Sequence, residues 1–461
     1  MSLLIVLGAL VFLMLVAYRG YSVILFAPVA ALGAVLLTDP TLVAPMFSSV
    51  FMDKMVGFVK SYFPVFMLGA VFGKVIELSG FSKSIVSAVI GLLGRERAML
   101  SIVAVCAILT YGGVSLFVVV FAVYPFAAEM FRQSGIPKRL IPCTIALGAF
   151  TFTMDALPGT PQIQNIIPTT FFKTTTWAAP WLGLFGSIFI LVFGLLYIES
   201  RRRAAAVRGE GYGTELVNEP EAFAAEKLPS PWIALSPLIV VGVANFLLTK
   251  WVLKAYGTEH TIALGAKPIV TQIPGVAAIW GVEGALLLGI LTVFVFAWRS
   301  VLPKFADGSK AAVAGALLAS LNTASEYGFG GVIALLPGFV SIAEVLRSIP
   351  NPLVNEAVTV TVLAGITGSA SGGMSIALAA MSDTFIAAAE AAKIPLEVLH
   401  RVASMASGGM DTLPHNGAVI TLLAVTGLTH KQAYKDIFVI TLIKSAAVFF
   451  IIAVFYLTGI Y

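Results

Sequence analysis

Apolar runs of membrane length, cut by short breaks rich in glycine, proline and hydroxyl residues, recur along the whole chain. They lie near residues 2–18, 21–38, 58–79, 139–170 and 178–198, and again near 232–249, 276–298, 311–338, 396–428 and 434–460. Each is long enough for a helix to cross the hydrocarbon core of a bilayer. The apolar segment 98–131 is too short to cross twice and is interrupted at Tyr111-Gly112-Gly113, so it predicts a re-entrant hairpin; 353–392 is its counterpart. The pattern predicts an all-α polytopic membrane protein. A first unit, 1–198, holds the hairpin 98–131 and a broken helix 139–170. A linker, 199–231, leads to a second unit, 232–461, with a hairpin at 353–392 and a broken helix at 396–428. Each unit has about five transmembrane helices plus one hairpin.

The breaks form a duplicated signature. Gly112-Gly113-Val114-Ser115, Ile136-Pro137 and Met154-Asp155-Ala156-Leu157-Pro158 return in order as Gly372-Gly373-Met374-Ser375, Ile394-Pro395 and Met410-Asp411-Thr412-Leu413-Pro414. Five crossings is an odd number, so the second unit would enter the membrane with the opposite orientation, which makes an inverted repeat. With both termini outside, the inner connections carry about twice as many Lys and Arg as the outer ones, the bias that sets orientation in membranes. Arg401 is counted among the outer connections, and Lys444 falls inside the last span. Segments 81–94 and 335–349 are too short to span and read as interfacial helices before each hairpin.

Of 461 residues 59% are hydrophobic and 11% charged, which excludes an ordinary soluble fold. The net charge of +5 is scattered among membrane segments and does not point to nucleic acid. Cys106 and Cys143 lie in apolar sequence without ligand spacing, so no metal site or disulfide is expected. The N-terminal apolar run has no basic residue before Arg19 and reads as a retained helix, not a cleaved signal. The polar stretch from Glu199 to Ser230 reads as a cytoplasmic linker.

Non-helical backbone at membrane depth is tolerated only where it is buried or lines a cavity, and paired breaks in two halves point to a transporter's binding site. At the first hairpin tip, Gly112, Gly113 and Ser115 would free backbone N–H groups at a helix N-terminus, a cradle for a carboxylate. Ser369, Ser371, Gly372, Gly373 and Ser375 would do so at the second, although Gly and Ser also serve close helix packing. The breaks after each Met-Asp add Thr160 and Gln162 in the first unit and His415 and Asn416 in the second. Asp155 and Asp411 are ionisable groups inside spans with no Lys or Arg nearby in sequence, which makes them proton-coupling candidates; capping the broken helix is the competing role. Glu326 is a secondary proton candidate, Asp383 a cap or pairing partner, and Lys74 and Glu77 an i,i+3 ion pair.

The order of hairpin tip, Ile-Pro turn and Met-Asp-x-Leu-Pro break, with Leu413-Pro414-His415-Asn416-Gly417-Ala418-Val419, resembles the gluconate permease (GntP) family of the ion transporter superfamily. The last stretch is most similar to its hydroxybutyrate-permease-like branch. The resemblance implies proton symport of a short hydroxy-monocarboxylate, a bacterial inner-membrane location, no cofactor, and a homodimer of elevator type. Gluconate itself fits less well, because this chain has His-Asn-Gly-Ala where sugar-acid members tend to be more polar. A sodium-coupled organic-anion symporter is the alternative, since unwound carbonyls with Ser, Thr and Asn also suit sodium. An aspartyl intramembrane protease would need a GxGD motif, and the chain has Ser407-Gly408-Gly409-Met410-Asp411. A passive channel would need a filter or charged ring, which is absent from the sequence.

Overall fold

Glycine, proline and hydroxyl positions decide where the apolar helices start, stop and break. The computed structural model describes all residues except 20, 95–96, 215–216, 221–227, 264–267, 342–347 and 415. The first half opens with α1 (Ser2–Tyr18) and α2 (Val23–Thr38). A helical stretch then runs from Pro40 through α3 (Val43–Met46) and a π-helical turn, Phe47–Phe51, into α4 (Met52–Leu78). Gly80, at φ 74°, turns the chain into α5 (Phe81–Leu93). The first hairpin is α6 (Ala98–Tyr111) and α7 (Leu116–Gln133), followed by a helix in three pieces, α8 (Ile141–Ala149), α9 (Phe152–Asp155) and α10 (Ile163–Phe172), and by α11 (Pro180–Val207).

The second half has α12 (Pro231–Tyr256), an antiparallel strand pair, β1 (Glu259–Ile262) and β2 (Ile269–Gln272), and α13 (Ala277–Leu335). In the strand pair Glu259 faces Gln272 and Ile262 faces Ile269. The second hairpin is α14 (Pro352–Thr367) and α15 (Ala370–Ala391). The second broken helix is α16 (Leu396–Gly408), a 3-10 turn at Gly409–Thr412 and α17 (Gly417–Thr426), and α18 (His430–Thr458) closes the chain.

Among the described residues seven helical stretches are long and apolar enough to cross a membrane. Two of the seven are the hairpin arms α7 and α15, and the ten expected spans reduce to the other five for physical reasons. The two broken helices are divided into short pieces, α1 and α2 are 17 and 16 residues long, and two expected spans share α13. That 59-residue helix leaves helical geometry at Ala297 (φ −134°, ψ 22°). In a straight helix Phe294 and Phe305 would stand about 16 Å apart, yet their ring centroids are 5.0 Å apart, so the axis folds back sharply there. Residues 299–310, expected as a loop, are helical. The strand pair had no signal in the sequence. Segment 335–349 lies partly outside the described residues, whereas 81–93 is helical as expected.

Small residues let the long helices approach, as lipid-embedded packing requires. A Cβ on Gly289 would stand 2.5 Å from Val241 and 2.9 Å from Phe72, and one on Gly281 2.2 Å from Thr249, so α12, α13 and α4 meet at these glycines. The hairpins, the broken helices, α11 and α18 pack together as a second group, which α13 contacts through α15.

The described part of the expected linker is structured. Its first residues extend α11 to Val207, and 208–214 and 217–219 are strapped across the second group. Arg139 binds Glu210 (Nε to Oε1, 2.6 Å) and Asp436 (Nη1 to Oδ2, 2.9 Å), while Arg201 and Tyr197 reach the same Asp436 (both 2.7 Å). Glu219 pairs with Lys138 (2.6 Å) and Arg132, and Lys138 also donates to the Val217 carbonyl (2.6 Å). Asn218 donates to the Ala424 carbonyl (2.8 Å) and accepts at its own carbonyl from Tyr124 (2.8 Å), which joins the two halves at this end.

The hydrogen bond from Arg139 holds Glu210 below the usual carboxylate range. Burial pushes Glu219 up, but Lys138 and Arg132 outweigh it and leave that carboxyl lowered as well. Lowered pKa values contribute docking energy that is complete above the ordinary Glu value of about 4.3 and lost as pH falls through the lowered ones. Gly211 has open space where a Cβ would stand, so Gly211→Cys can carry an environment-sensitive fluorophore, and both natural cysteines are buried. Its emission is expected to stay constant from pH 8 to 5 and shift below about 4. Glu210→Gln with Glu219→Gln should produce the shifted emission already at pH 7.

Candidate functional site

The first broken helix exposes carbonyls in an apolar interior, and side chains from the second half satisfy them. Arg401 is completely buried. It donates from Nη1 to the Asp155 carbonyl (2.9 Å) and Asn165 Oδ1 (3.0 Å), and from Nη2 and Nε to the Ala178 carbonyl (2.8 and 3.3 Å). The Ser404 hydroxyl, one turn on, reaches the carbonyls of Asp155 and Gln164 (2.8 and 2.9 Å). Asn165 donates its two amide protons to the Thr160 and Thr176 carbonyls, which fixes the amide so that Oδ1 accepts from Arg401 and from His400 Nε2 (3.1 Å). His400 therefore carries its proton on Nε2 and accepts at Nδ1 from Thr174 (2.6 Å). It is a neutral, fully used core histidine.

Asp155 and Lys444 are each 1% exposed, with Nζ 3.6 Å from Oδ2. Lys444 also donates to the carbonyls of Phe150 (2.6 Å) and Gly408. Neither Asp155 oxygen has a hydrogen-bond partner among the described residues. Gly408 makes room for this carboxylate, since a Cβ there would stand 1.7 Å from Oδ2. Asp411, by contrast, is fully engaged. Oδ2 accepts from Gln164 (2.8 Å), and Oδ1 from the Ala370 amide (3.2 Å) and Asn416 (3.4 Å). No Lys or Arg lies near Asp155 in sequence, and Lys444 and Arg401 reach it from elements far away along the chain. Arg401, counted in an outer connection, lies in the core.

Each hairpin tip is tied to the break of its own half. Gln162 donates to the Thr110 carbonyl (2.7 Å) and Tyr111 to the Pro158 carbonyl (2.8 Å). At the second tip Asn416 donates to the Gly368 carbonyl (2.9 Å) and Asp411 holds the Ala370 amide. Gln162 and Gln164, two residues apart, thus connect the first tip to the second break. The paired glycines work mainly by close approach. Cβ atoms would fall 1.7 Å from Leu238 at Gly112, 1.6 Å from Glu326 Oε2 at Gly372 and 2.1 Å from Ala364 at Gly373. Gly113 needs its φ of 96° for the turn.

Of the remaining sequence candidates, Thr160 spends its hydroxyl on the Thr153 carbonyl (2.7 Å). Ser115 is the N-cap of α7 but makes no side-chain capping bond. Ser369 caps α15 by accepting from the Gly372 amide (3.1 Å). Ser371 lies 3.4 Å from Thr323 of α13. The buried Ser375 hydroxyl has no partner among the described residues. His415 lies outside the described residues. Lys74 and Glu77 form the expected ion pair (2.8 Å). A cavity of about 230 Å³ adjoins the first break, lined by Thr175, Trp177, Phe246, Thr249, Lys250 and Leu253.

A site built from two broken helices and two hairpin tips inside a multi-pass apolar chain suits a carrier of small molecules. The uncharacterized transporter YxjC of Bacillus subtilis (strain 168) is 59% identical over 471 residues, covering the whole of both chains. The chain belongs to the YxjC transporter family. It is a multi-pass membrane transporter, not an enzyme. No protein-family model matches it. Among solved structures, the YdaH transporter of Alcanivorax borkumensis is 15% identical with a TM-score of 0.47, over 91% of this chain and 88% of that one.

The transporter's core thus contains Arg401, Lys444, His400, Asn165 and Gln164, none of which the sequence singled out as site residues. Lys444 carried a signal, a cation in the middle of an apolar span; the others have meaning only once α16 lies against the first break. Arg401→Met would leave the carbonyls of Asp155 and Ala178 without these donors. Thermal unfolding in detergent should show a loss of about 2–6 kcal/mol, about 1–3 for each of the two carbonyls. Lys74→Gln, at a partly exposed pair, should cost about 0–1 kcal/mol.

Proposed function

We propose that the protein is a secondary active transporter importing a short hydroxy-monocarboxylate, such as 3-hydroxybutyrate, by proton symport. The observation that carries this reading is the Asp155–Lys444 pair. It is an ion pair buried where the two broken helices meet, with a carboxylate that no hydrogen-bond donor among the described residues holds, and intramembrane ionisable groups mark proton and substrate pathways. In this reading Asp155 takes the proton and Lys444 exchanges it for the carbonyls of Phe150 and Gly408. Asp411, with three donors on its oxygens, has a positioning role at the second tip. Ser115, Ser371 and Ser375 are the polar groups left to address a substrate at the tips, next to Gly112, Gly113, Gly372 and Gly373.

The duplicated run of hairpin, broken helix and long helix supports two repeats, 1–198 and 232–461, of inverted topology, and supports placing the chain with the gluconate permease family. The separate packing of α4, α12 and α13 from the group of hairpins and broken helices suits an elevator in which the second group moves. The protein would sit in the bacterial inner membrane as a homodimer with both termini outside and the strap at 208–214 and 217–219 on the cytoplasmic side.

The test is uptake of radiolabelled 3-hydroxybutyrate into proteoliposomes under an imposed proton gradient or an imposed sodium gradient. Accumulation is expected with the proton gradient alone. Asp155→Asn should lower it at least tenfold while counterflow exchange of bound substrate persists. Sodium dependence would replace protons by sodium as the coupling ion, and an Asp155→Asn variant with undiminished accumulation would remove Asp155 from the mechanism.

A further inference from the structure

The N-terminus of α15, where a substrate carboxylate would be expected to dock, already faces two of the chain's own carboxylates. Asp411 takes the Ala370 amide and is locked there by Gln164 and Asn416. Glu326 of α13 is held less firmly. It is 4% exposed, its Oε2 has no partner among the described residues, and it presses on Gly372 where a side chain would otherwise stand. Ser369 connects it to the helix end. The Ser369 hydroxyl is within bonding reach of the Glu326 carboxyl and accepts from the Gly372 amide. One turn earlier on α13, Thr323 meets Ser371 of the same tip. A helix N-terminus favours an anion, and here a buried carboxylate supplied by a neighbouring helix takes that place.

We propose that Glu326 is an internal carboxylate that competes with the substrate's carboxylate for the tip of the second hairpin. The inference rests on the substrate class and the proton coupling proposed above. A carboxylate that approaches the tip meets Glu326 within a few ångströms, and two such charges in an apolar interior cannot be accommodated together. Substrate binds when a proton adds to Glu326, which removes its charge from the helix end, and release of that proton restores the internal anion and expels the substrate.

The groups facing Glu326 from its surroundings are few. Asp411 acts on it from behind the same tip, with a charge of the same sign. On the α4 side, Lys54 lies against Gly331, more than a turn further along α13, and Tyr327 packs its ring on Phe58 at 5.7 Å. On the far arm of the hairpin, α14 carries the buried Glu356. Among the described residues no cation compensates Glu326 as Lys444 compensates Asp155.

Binding of radiolabelled 3-hydroxybutyrate to the full chain in lipid nanodiscs, measured from pH 5.5 to 8, tests this. In wild type the affinity should fall with rising pH, at most about tenfold per unit, because the proton on Glu326 is linked to binding, whereas the proton on Asp155 is linked to movement of the loaded carrier. Glu326→Gln should bind with an affinity that varies less than twofold over the range, and Lys74→Gln, at an ion pair outside the site, should keep the wild-type pH dependence. Glu326→Asp, which retains the charge, should also keep it, and serves as the comparison if the Gln variant does not fold; loss of the dependence in Glu326→Asp would then count against the proposal. Unchanged pH dependence in Glu326→Gln overturns it. If wild type binds no 3-hydroxybutyrate at any pH, the substrate reading fails on its own, and amide exchange of ligand-free residues 369–373 at pH 7.5 decides. Exchange at least threefold faster in Glu326→Gln supports the internal anion, and equal exchange overturns it.

Discussion

The hydrogen bonds from Arg401 to the carbonyls of Asp155 and Ala178 are the contacts on which the rest of the core depends. A helix that unwinds between α9 and α10 leaves carbonyls that neither lipid nor apolar side chains can satisfy, and each would cost several kcal/mol if left bare. A guanidinium has enough donors in a fixed fork to serve two carbonyls and Asn165 at once. Because Arg401 belongs to α16, the break in one half is stable only while the other half is docked on it. Asn165, His400 and Ser404 extend the same contact, so the two halves meet through polar bonds in surroundings that are otherwise apolar.

Much of the architecture was legible because helix breakers in apolar sequence have few explanations. The two hairpins fall within two residues of their expected limits, and both broken helices interrupt at the Met-Asp sequences. Expectations failed where the deciding contact is distant in sequence. Lys444 lies far from Asp155 along the chain, and Arg401 looks like a loop cation until α16 is packed. The helical residues 299–310 were misread because the fold-back at Ala297 needs neither glycine nor proline, and the helix continues through Pro303. The strap at 208–214 and 217–219 was unreadable for a different reason. Its glycines and acids do look like a flexible linker, and only the cluster of Arg132, Lys138 and Arg139 beneath it gives them partners.

The paired glycines show how one sequence signal can carry two readings, ligand binding and close helix packing, at once. They were read as freeing amides for a ligand, yet Gly112 and Gly373 serve close approach to Leu238 and to the backbone of Ala364. Gly372 does both. Its missing side chain admits a carboxylate to the helix end, and that carboxylate belongs to the protein. Close packing and anion binding are therefore not rival explanations at the second tip, because the approach of α13 is what brings the anion.

Charge balance links these observations. Among the described residues, the apolar interior around the breaks and the second hairpin holds Asp155, Asp411, Glu326 and Glu356 against Arg401 and Lys444. Arg401 is spent on neutral carbonyls and Lys444 largely so, which leaves little positive charge to receive a further anion. Uncompensated charge in such an interior is costly enough that a net excess of carboxylates does not simply gain another. On the proposed reading, an anionic substrate can enter only together with positive charge, and with both fixed cations engaged that charge has to come from solution. Symport then follows from the composition of the site, and the choice between proton and sodium turns on whether the cation is received by the bare oxygens of Asp155 and Glu326 or by the carbonyls and hydroxyls around them.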